Sequence, residues 1–379
     1  MSHEVCRQAI ECGHEVRMLM VCKPANPPPA GTTVPIESLN LIPSAPNAAT
    51  AILNWLNRKS FDALVLNCCS EADPLPPYLP DSLRCVYVVH NSPKRYWRPA
   101  VEHARSLDLI VAVSNYVADL VRPHLAIPGK LITIHNGSSY PEAPTETAAR
   151  NEDLLFLGGE ELRKGAGDLL HVWRKLVQCG FSGRLHWCGS LNEVFRRQVD
   201  ALPARDRIEV HGRVTREEVF RLAAGCRVLL MLSRAEAFGM VTIEAMSMGC
   251  VPVAWDVDTG TKEIVTGAYG RFAPLGIYDK LARAVLDANA KHPALVRGVM
   301  HQARRTFSIS RMWGDYERSI SRVLKQPKAT RPLAGQNAPS ISVQRRSSAL
   351  VPGPIKSVLK NLIQGDPRLA FWVNRYCGM

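Results

Sequence analysis

Residues 228–255 read VLLMLSRAEAFGMVTIEAMSMGCVPVAW. An unbroken apolar run (228–232) ends in a short polar loop, and a helical stretch from Met240 to about Met248 stops at Gly249, a residue suited to a helix C-terminus. A second apolar run, 251–255, follows at once. Strands apolar along their whole length, separated by helices, belong to parallel sheets covered on both faces. The same grammar extends outward. Apolar runs recur at 154–158, 184–189, 208–212 and 271–273, and upstream at 16–21, 63–67, 85–90, 109–113 and 131–135. The expected fold class is therefore α/β, with two tandem doubly wound Rossmann-like domains and a cleft between them.

The boundary falls in 136–150, NGSSYPEAPTETAAR, where an Asn-Gly turn gives way to Pro, Thr and Glu without apolar period. This sets an N-terminal domain at 1–140 and a C-terminal domain at 151–325, closed by a helix at 310–325. Within the first domain, 23–47 holds seven prolines and reads as a long surface loop. Residues 326–354, rich in Pro, Ser, Gln and Arg, read as a disordered linker. In the tail, 355–379, Ile355, Val358, Leu359, Leu362 and Ile363 recur at helical spacing beside Lys356 and Lys360, the pattern of a basic amphipathic helix.

The 379 residues, 46% hydrophobic and 21% charged, suit a soluble globular protein of about two domains. A net charge of +13 invites a nucleic-acid reading until it is located. The last 55 residues carry nine Lys or Arg against one acid, Asp366, which leaves only +5 for residues 1–324. A nucleic-acid partner is disfavoured. Eleven scattered cysteines with no C-x-x-C pair argue against a disulfide framework or zinc motif and for a reducing compartment. No apolar run reaches membrane-spanning length, and Glu4, Arg7 and Glu11 stand where a secretory signal would be apolar. The expected location is cytoplasmic. Peripheral contact with the inner face of the membrane through 355–379 stays open beside a tail docked on the body or simply disordered.

Ligands of open α/β sheets bind beyond the carboxyl ends of strands, so the 233–239 loop is placed to form a site. Glu236 stands in it, and Glu244 lies about one turn into the following helix. Carboxylates suit sugar hydroxyls, and a helix start favours phosphate. Gly239 would let a ligand approach the backbone. Taken alone, the two glutamates are equally a loop acid and a helix acid.

The stretch resembles the signature of the retaining glycosyltransferases of family 4, which have the GT-B fold. The acids stand as E-x7-E, with Phe238-Gly239 between them, Glu244-Ala245-Met246 at the second, and Gly249, Pro252 and Val253 beyond. The 260–265 segment GTKEIV is similar to a later family motif, although Thr259 replaces its first glycine. The resemblance implies that Glu244 and the turn of Arg213 and Val214 hold the nucleotide of a nucleotide-diphosphate sugar. Glu236 would hold the donor sugar, and Phe238, Gly239, Met240 and Val241 would meet sugar and phosphate through their backbone. Arg163 and Lys164, in GGEELRKG at 158–165, would face the diphosphate, although Gly159 stands where many members carry arginine. No metal or other cofactor is implied, and Asp256-Val257-Asp258 occupies a variable turn.

In the first domain, His90 after 88–89 is similar to the strand-end histidine placed over the donor sugar, which makes His90 and Glu236 the catalytic candidates. Residues 108–114 and Asn136-Gly137 match architectural positions. Gly13-His14-Glu15-Val16 resembles the turn before the family's second strand, so a first strand and a glycine-rich acceptor loop are expected upstream, where residues 1–12 leave no room. A start placed too late and a chain lacking the element both remain open. The expectation is a hexosyltransferase of polysaccharide biosynthesis that uses a nucleotide sugar and a glycosyl acceptor. The alternatives are an inactive relative acting as a binding module, or a nucleotide-sugar epimerase or phosphorylase of the same fold.

Overall fold

The computed structural model describes residues 2–22, 33–42, 45–67, 69–144, 150–338 and 373–374. The chain divides into two compact units: residues 1–113, 117–134 and 313–379 form the first, and 114–116 with 135–312 form the second.

In the first unit α1 (Ser2–Glu11) leads into β1 (Met18–Cys22), β2 (Ile36–Leu41), α2 (Ala48–Leu56), β3 (Ala63–Leu66), β4 (Arg84–Val89), α3 (Lys94–Glu102), β5 (Leu109–Ala112), α4 (Asn115–Val121, whose first two residues belong to the second unit) and β6 (Leu131–Thr133). Every described strand pair is parallel, and the strands fall into two sheets, β3-β4-β5-β6 and β1-β2 with a two-residue β13 (Val373–Asn374) beside β1. All six residues of β4 are buried, as a strand packed on both faces requires.

The second unit runs β7 (Leu154–Leu157), α5 (Ala166–Gln178), β8 (Leu185–Cys188), α6 (Glu193–Asp200), β9 (Ile208–Gly212), α7 (Arg216–Gly225), β10 (Val228–Met231), α8 (Met240–Ser247), β11 (Val251–Trp255), β12 (Arg271–Ala273) and α9 (Tyr278–Thr306). Its six-stranded parallel sheet has the order β12-β11-β10-β7-β8-β9. Two helix starts follow the capping chemistry of their sequences. Asn192 accepts from the Phe195 amide at α6, and Thr215 accepts from the Glu218 amide at α7. The core includes Trp173, Trp187, Trp255 and Phe156, each fully buried.

Three expectations are corrected. The 23–47 stretch is not all loop: residues 36–41, IESLNL, form β2, paired parallel with β1 with a register shift between Met20 and Cys22. Proline density hid a short strand. The last helix, α10 (Ile309–Leu324), crosses from the second unit into the first at 312–313, so the return of the chain lies upstream of 325. Residues 326–338 of the expected linker are folded onto the first unit. Arg331, 6% exposed, bonds Asp108, the Ser106 carbonyl and the Pro80 carbonyl, while the Ala329 amide donates to Asp108 and the Leu333 amide to the Pro77 carbonyl. Burial of apolar period is the usual signal of order, and this segment is held by ion pairs and backbone bonds instead. The remainder of the linker and the amphipathic tail, apart from 373–374, lie outside the described residues. Among those described, no helix is long and apolar enough to cross a membrane.

Candidate active site

In the second unit, Gly239 holds the turn between β10 and α8 at φ +110°, in the left-handed region, where side chains are strained. A methyl group there would meet the hydroxyl of Thr242 at 3.2 Å and that of Thr261 at 3.5 Å. Both hydroxyls are buried with no hydrogen-bond partner among the described residues, so polar capacity is held close to the helix start. The first amides of a helix lack intrahelical acceptors, and with the helix dipole they favour an anion. The loop itself is pinned: the Gly260 amide donates to the Glu236 carbonyl, and the Ser114 hydroxyl donates to the Ala237 carbonyl. Phe238 is buried, stacked at 5.8 Å on His135 and edge-on to Phe307, so only its backbone is placed to serve a ligand.

The loop after β7 meets this one. Gly165, at φ +86°, packs so closely that a methyl group would lie 2.4 Å from the Leu232 carbonyl oxygen. This approach delivers Lys164, whose Nζ sits 2.7 Å from Glu236 Oε2, both side chains less than a fifth exposed. Arg163 donates to the Ala235 carbonyl at 3.0 Å and its own carbonyl accepts from the Arg234 amide. Gly159 has a local reason: its φ is +55° and a methyl group would meet the Ser190 carbonyl at 2.9 Å. Arginine would be strained there.

Glu244 is one turn into α8 and is tied down. Its Oε1 accepts from Arg216 Nε at 2.8 Å and from the Ser138 hydroxyl at 3.2 Å, and Arg216 also reaches the Ser139 carbonyl. Sequence reasoning missed Arg216. The available signal was the cap Thr215-x-x-Glu218, which fixes Arg216 as the first residue of α7. It also missed the work of Glu263 in GTKEIV, which accepts from the amides of Asn115 and Tyr116 and from His135 Nε2 at 2.6 Å. Burial pushes the Glu263 carboxyl up, but the bonds from His135 and the two amides outweigh it and hold it below its ordinary value. Asp256 of the D-x-D spacing pairs with Lys262. Arg213 is exposed after the end of β9, and Val214 packs against the core.

The structure thus brings Lys164 to Glu236 and sets Glu244 on the helix that Gly239 opens, with Arg163 in the adjoining loop. In the first unit His90 directly follows β4. It is 8% exposed, its ring bonds Asn67 Oδ1, and burial pushes its pKa down to about 4, so the imidazole is neutral near pH 7.

Two units built on parallel sheets, one carrying Glu236 and Glu244 at a strand-end helix start, have the architecture of the GT-B fold. Residues 151–290 match the model of the group 1 glycosyl transferases, residues 1–138 match that of glycosyltransferase family 4, and the chain belongs to this family. It is 26% identical over 153 residues to the GDP-mannose:cellobiosyl-diphosphopolyprenol alpha-mannosyltransferase of Xanthomonas campestris, a match spanning 39% of this chain and 40% of that enzyme. Among solved structures, Anabaena HepE in complex with UDP and glucose is similar at 17% identity and TM-score 0.68, covering 85% of this chain and 96% of that one. A glycosyltransferase from Rickettsia africae is similar at 14% identity and TM-score 0.71, covering 86% and 94%.

Proposed function

We propose that the chain transfers a sugar, with retention of anomeric configuration, from a nucleotide-diphosphate sugar to a glycosyl acceptor, without a metal ion in the transfer step. The observation that carries this reading is the Lys164–Glu236 pair beside the start of α8. A diphosphate arriving at the helix start competes for the Lys164 ammonium, which frees the Glu236 carboxylate to accept from donor-sugar hydroxyls. Lys164, Arg163 and the first amides of α8 then meet the charge that develops on the leaving diphosphate, the role a divalent ion would otherwise fill. Glu244, oriented by Arg216 and Ser138, accepts from the vicinal diol of the nucleotide ribose, and Arg213 and Val214 border the base. His90 takes part as a neutral imidazole, a hydrogen-bond group toward the reacting sugar.

The test is calorimetric titration with a panel of nucleotide sugars that includes GDP-mannose and UDP-glucose. One of them binds the wild type, and Glu244→Ala lowers its affinity at least about tenfold, the loss of one charged hydrogen-bond acceptor. Equal binding by both chains, or binding of no donor, sinks the reading. Slow hydrolysis of the donor without acceptor separates an enzyme from a binding module. A diphospholipid-linked glycan is the first acceptor to try, because the similar mannosyltransferase is named for one.

A further inference from the structure

At the free edge of the second unit's sheet, β8 and β9 run parallel with His186 opposite Glu209 and Trp187 opposite Val210. The register shifts between Trp187 and Cys188, so Cys188 pairs with Gly212. Side chains two apart on a strand share a face, which puts Glu209 and His211 on one side of β9, next to His186 of β8. His186 Nδ1 lies 3.0 Å from His211 Nε2 and 3.4 Å from Glu209 Oε2, and His211 Nε2 lies 3.9 Å from the same oxygen.

These separations resemble one face of a coordination tetrahedron. Bonds of 2.0–2.1 Å from nitrogen and oxygen to zinc set neighbouring ligand atoms about 3.3 Å apart. We infer that His186, Glu209 and His211 form a binding site for a divalent transition-metal ion of the zinc class, with a water in the fourth position. Two imidazoles and one carboxylate select zinc, nickel or copper over magnesium and calcium, which take oxygen ligands.

The surroundings suit a metal site. The other nitrogen of His186, Nε2, is 3.5 Å from Asp153 Oδ2, and Asp153 is itself fixed by the Arg184 amide on Oδ1 at 2.7 Å. A carboxylate behind a ligating imidazole fixes its tautomer and orientation. Arg184 pairs with the opposite oxygen of Glu209, Oε1, so the guanidinium and the ion address different atoms of that carboxylate. On α7, Glu218 and Arg221 are paired with each other. Bound there, the ion fastens the edge strand β9 to β8 where their ladder is irregular, three residues before Val214. The role is structural and independent of the transfer chemistry proposed above.

The experiment uses the full chain with any affinity tag removed, stripped by chelator and titrated with zinc chloride against a chromophoric competitor. The wild type takes up one zinc per chain, and magnesium chloride does not compete. His211→Ala and His186→Ala lower the zinc affinity by at least about tenfold, and Asp153→Asn, which leaves all three ligands in place, by about 10- to 100-fold. Zinc raises the melting temperature of the wild type and leaves that of His211→Ala unchanged. Cobalt provides a measurement free of variants: the wild-type complex shows the visible spectrum of tetrahedral nitrogen and oxygen coordination. Zinc uptake by His211→Ala equal to the wild type, or no stoichiometric uptake by the wild type, overturns the inference.

Discussion

Gly165 shows what a single residue contributes to this site. Its φ of +86° and the 2.4 Å that would separate a methyl group from the Leu232 carbonyl leave no room for a side chain, and the neighbour is backbone. Gly165→Ala should therefore cost at least about 2 kcal/mol, read as a lowered midpoint in urea unfolding, since both strain and overlap oppose it. A midpoint unchanged from wild type would show that the two loops do not pack in this way. The placement of Glu236, Gly239, Glu244 and Lys164 was legible because each follows a local signal, a strand end, a turn or a first helical turn, whereas the roles proposed for them came from the family resemblance. Arg216 was not legible. Its value depends on residues 138–139 and α7 both meeting α8, and no short-range pattern encodes such a meeting. Gly159 was read as a missing arginine, whereas its left-handed backbone against Ser190 supplies a steric reason for glycine.

Among the elements, the parallel strands other than β2 were readable to within a residue or two because they are mostly apolar, and central ones such as β4, β5, β10 and β11 are buried along their whole length. Elements stabilised by other means escaped. β2 is half-buried and flanked by prolines, and the segment 326–338 has Leu333 as its one large apolar residue and no apolar period to signal its order. That segment rests on Asp108, 9% exposed, which accepts from Arg84 at 3.1 Å and from Arg331, while the Cys85 amide fills its second oxygen. Arg84 also donates to the carbonyls of Leu324 and Gln326. Removing one member of a buried ion cluster leaves the others incompletely paired, at a typical cost of about 3–5 kcal/mol. Because Arg84 still faces Asp108, Arg331→Met belongs at the lower end, about 3 kcal/mol. It should also open 326–338 to limited proteolysis at a protease concentration the wild type withstands. Resistance equal to wild type would mean that backbone bonds alone hold the segment.

Across the whole molecule, the charge and the sheets divide along the chain. The basic excess lies largely beyond residue 324, and the first unit's strands form two sheets. Val373–Asn374 pairs with β1 on the edge opposite β2. The first unit also holds an unusual acid near its core. Burial pushes Asp73 up to about 7, although the Tyr87 hydroxyl donates to it at 2.8 Å and the nearby Arg98 cation also opposes the rise. Between about pH 4 and pH 7 the folded state therefore keeps a proton on Asp73 that the unfolded chain has released. The folded state binds more protons in that window, so Asp73 lowers stability as pH rises, by about 1.4 kcal/mol per unit, and the loss levels off above pH 7. His90 works in the opposite sense. Buried and held at about 4, it leaves the unfolded chain with the extra proton up to about pH 6.5, and its contribution grows as pH rises through that window. The two tendencies offset, which makes a difference measurement the clean one. Asp73→Asn keeps the acceptor for Tyr87 and removes the ionisation, so the variant's stability relative to wild type should climb by about 1.4 kcal/mol per pH unit from pH 4 to pH 7 and then stay constant. Urea unfolding of both chains at half-unit intervals reads this directly. A difference independent of pH would mean that the Asp73 carboxyl titrates in the folded unit as it does in water.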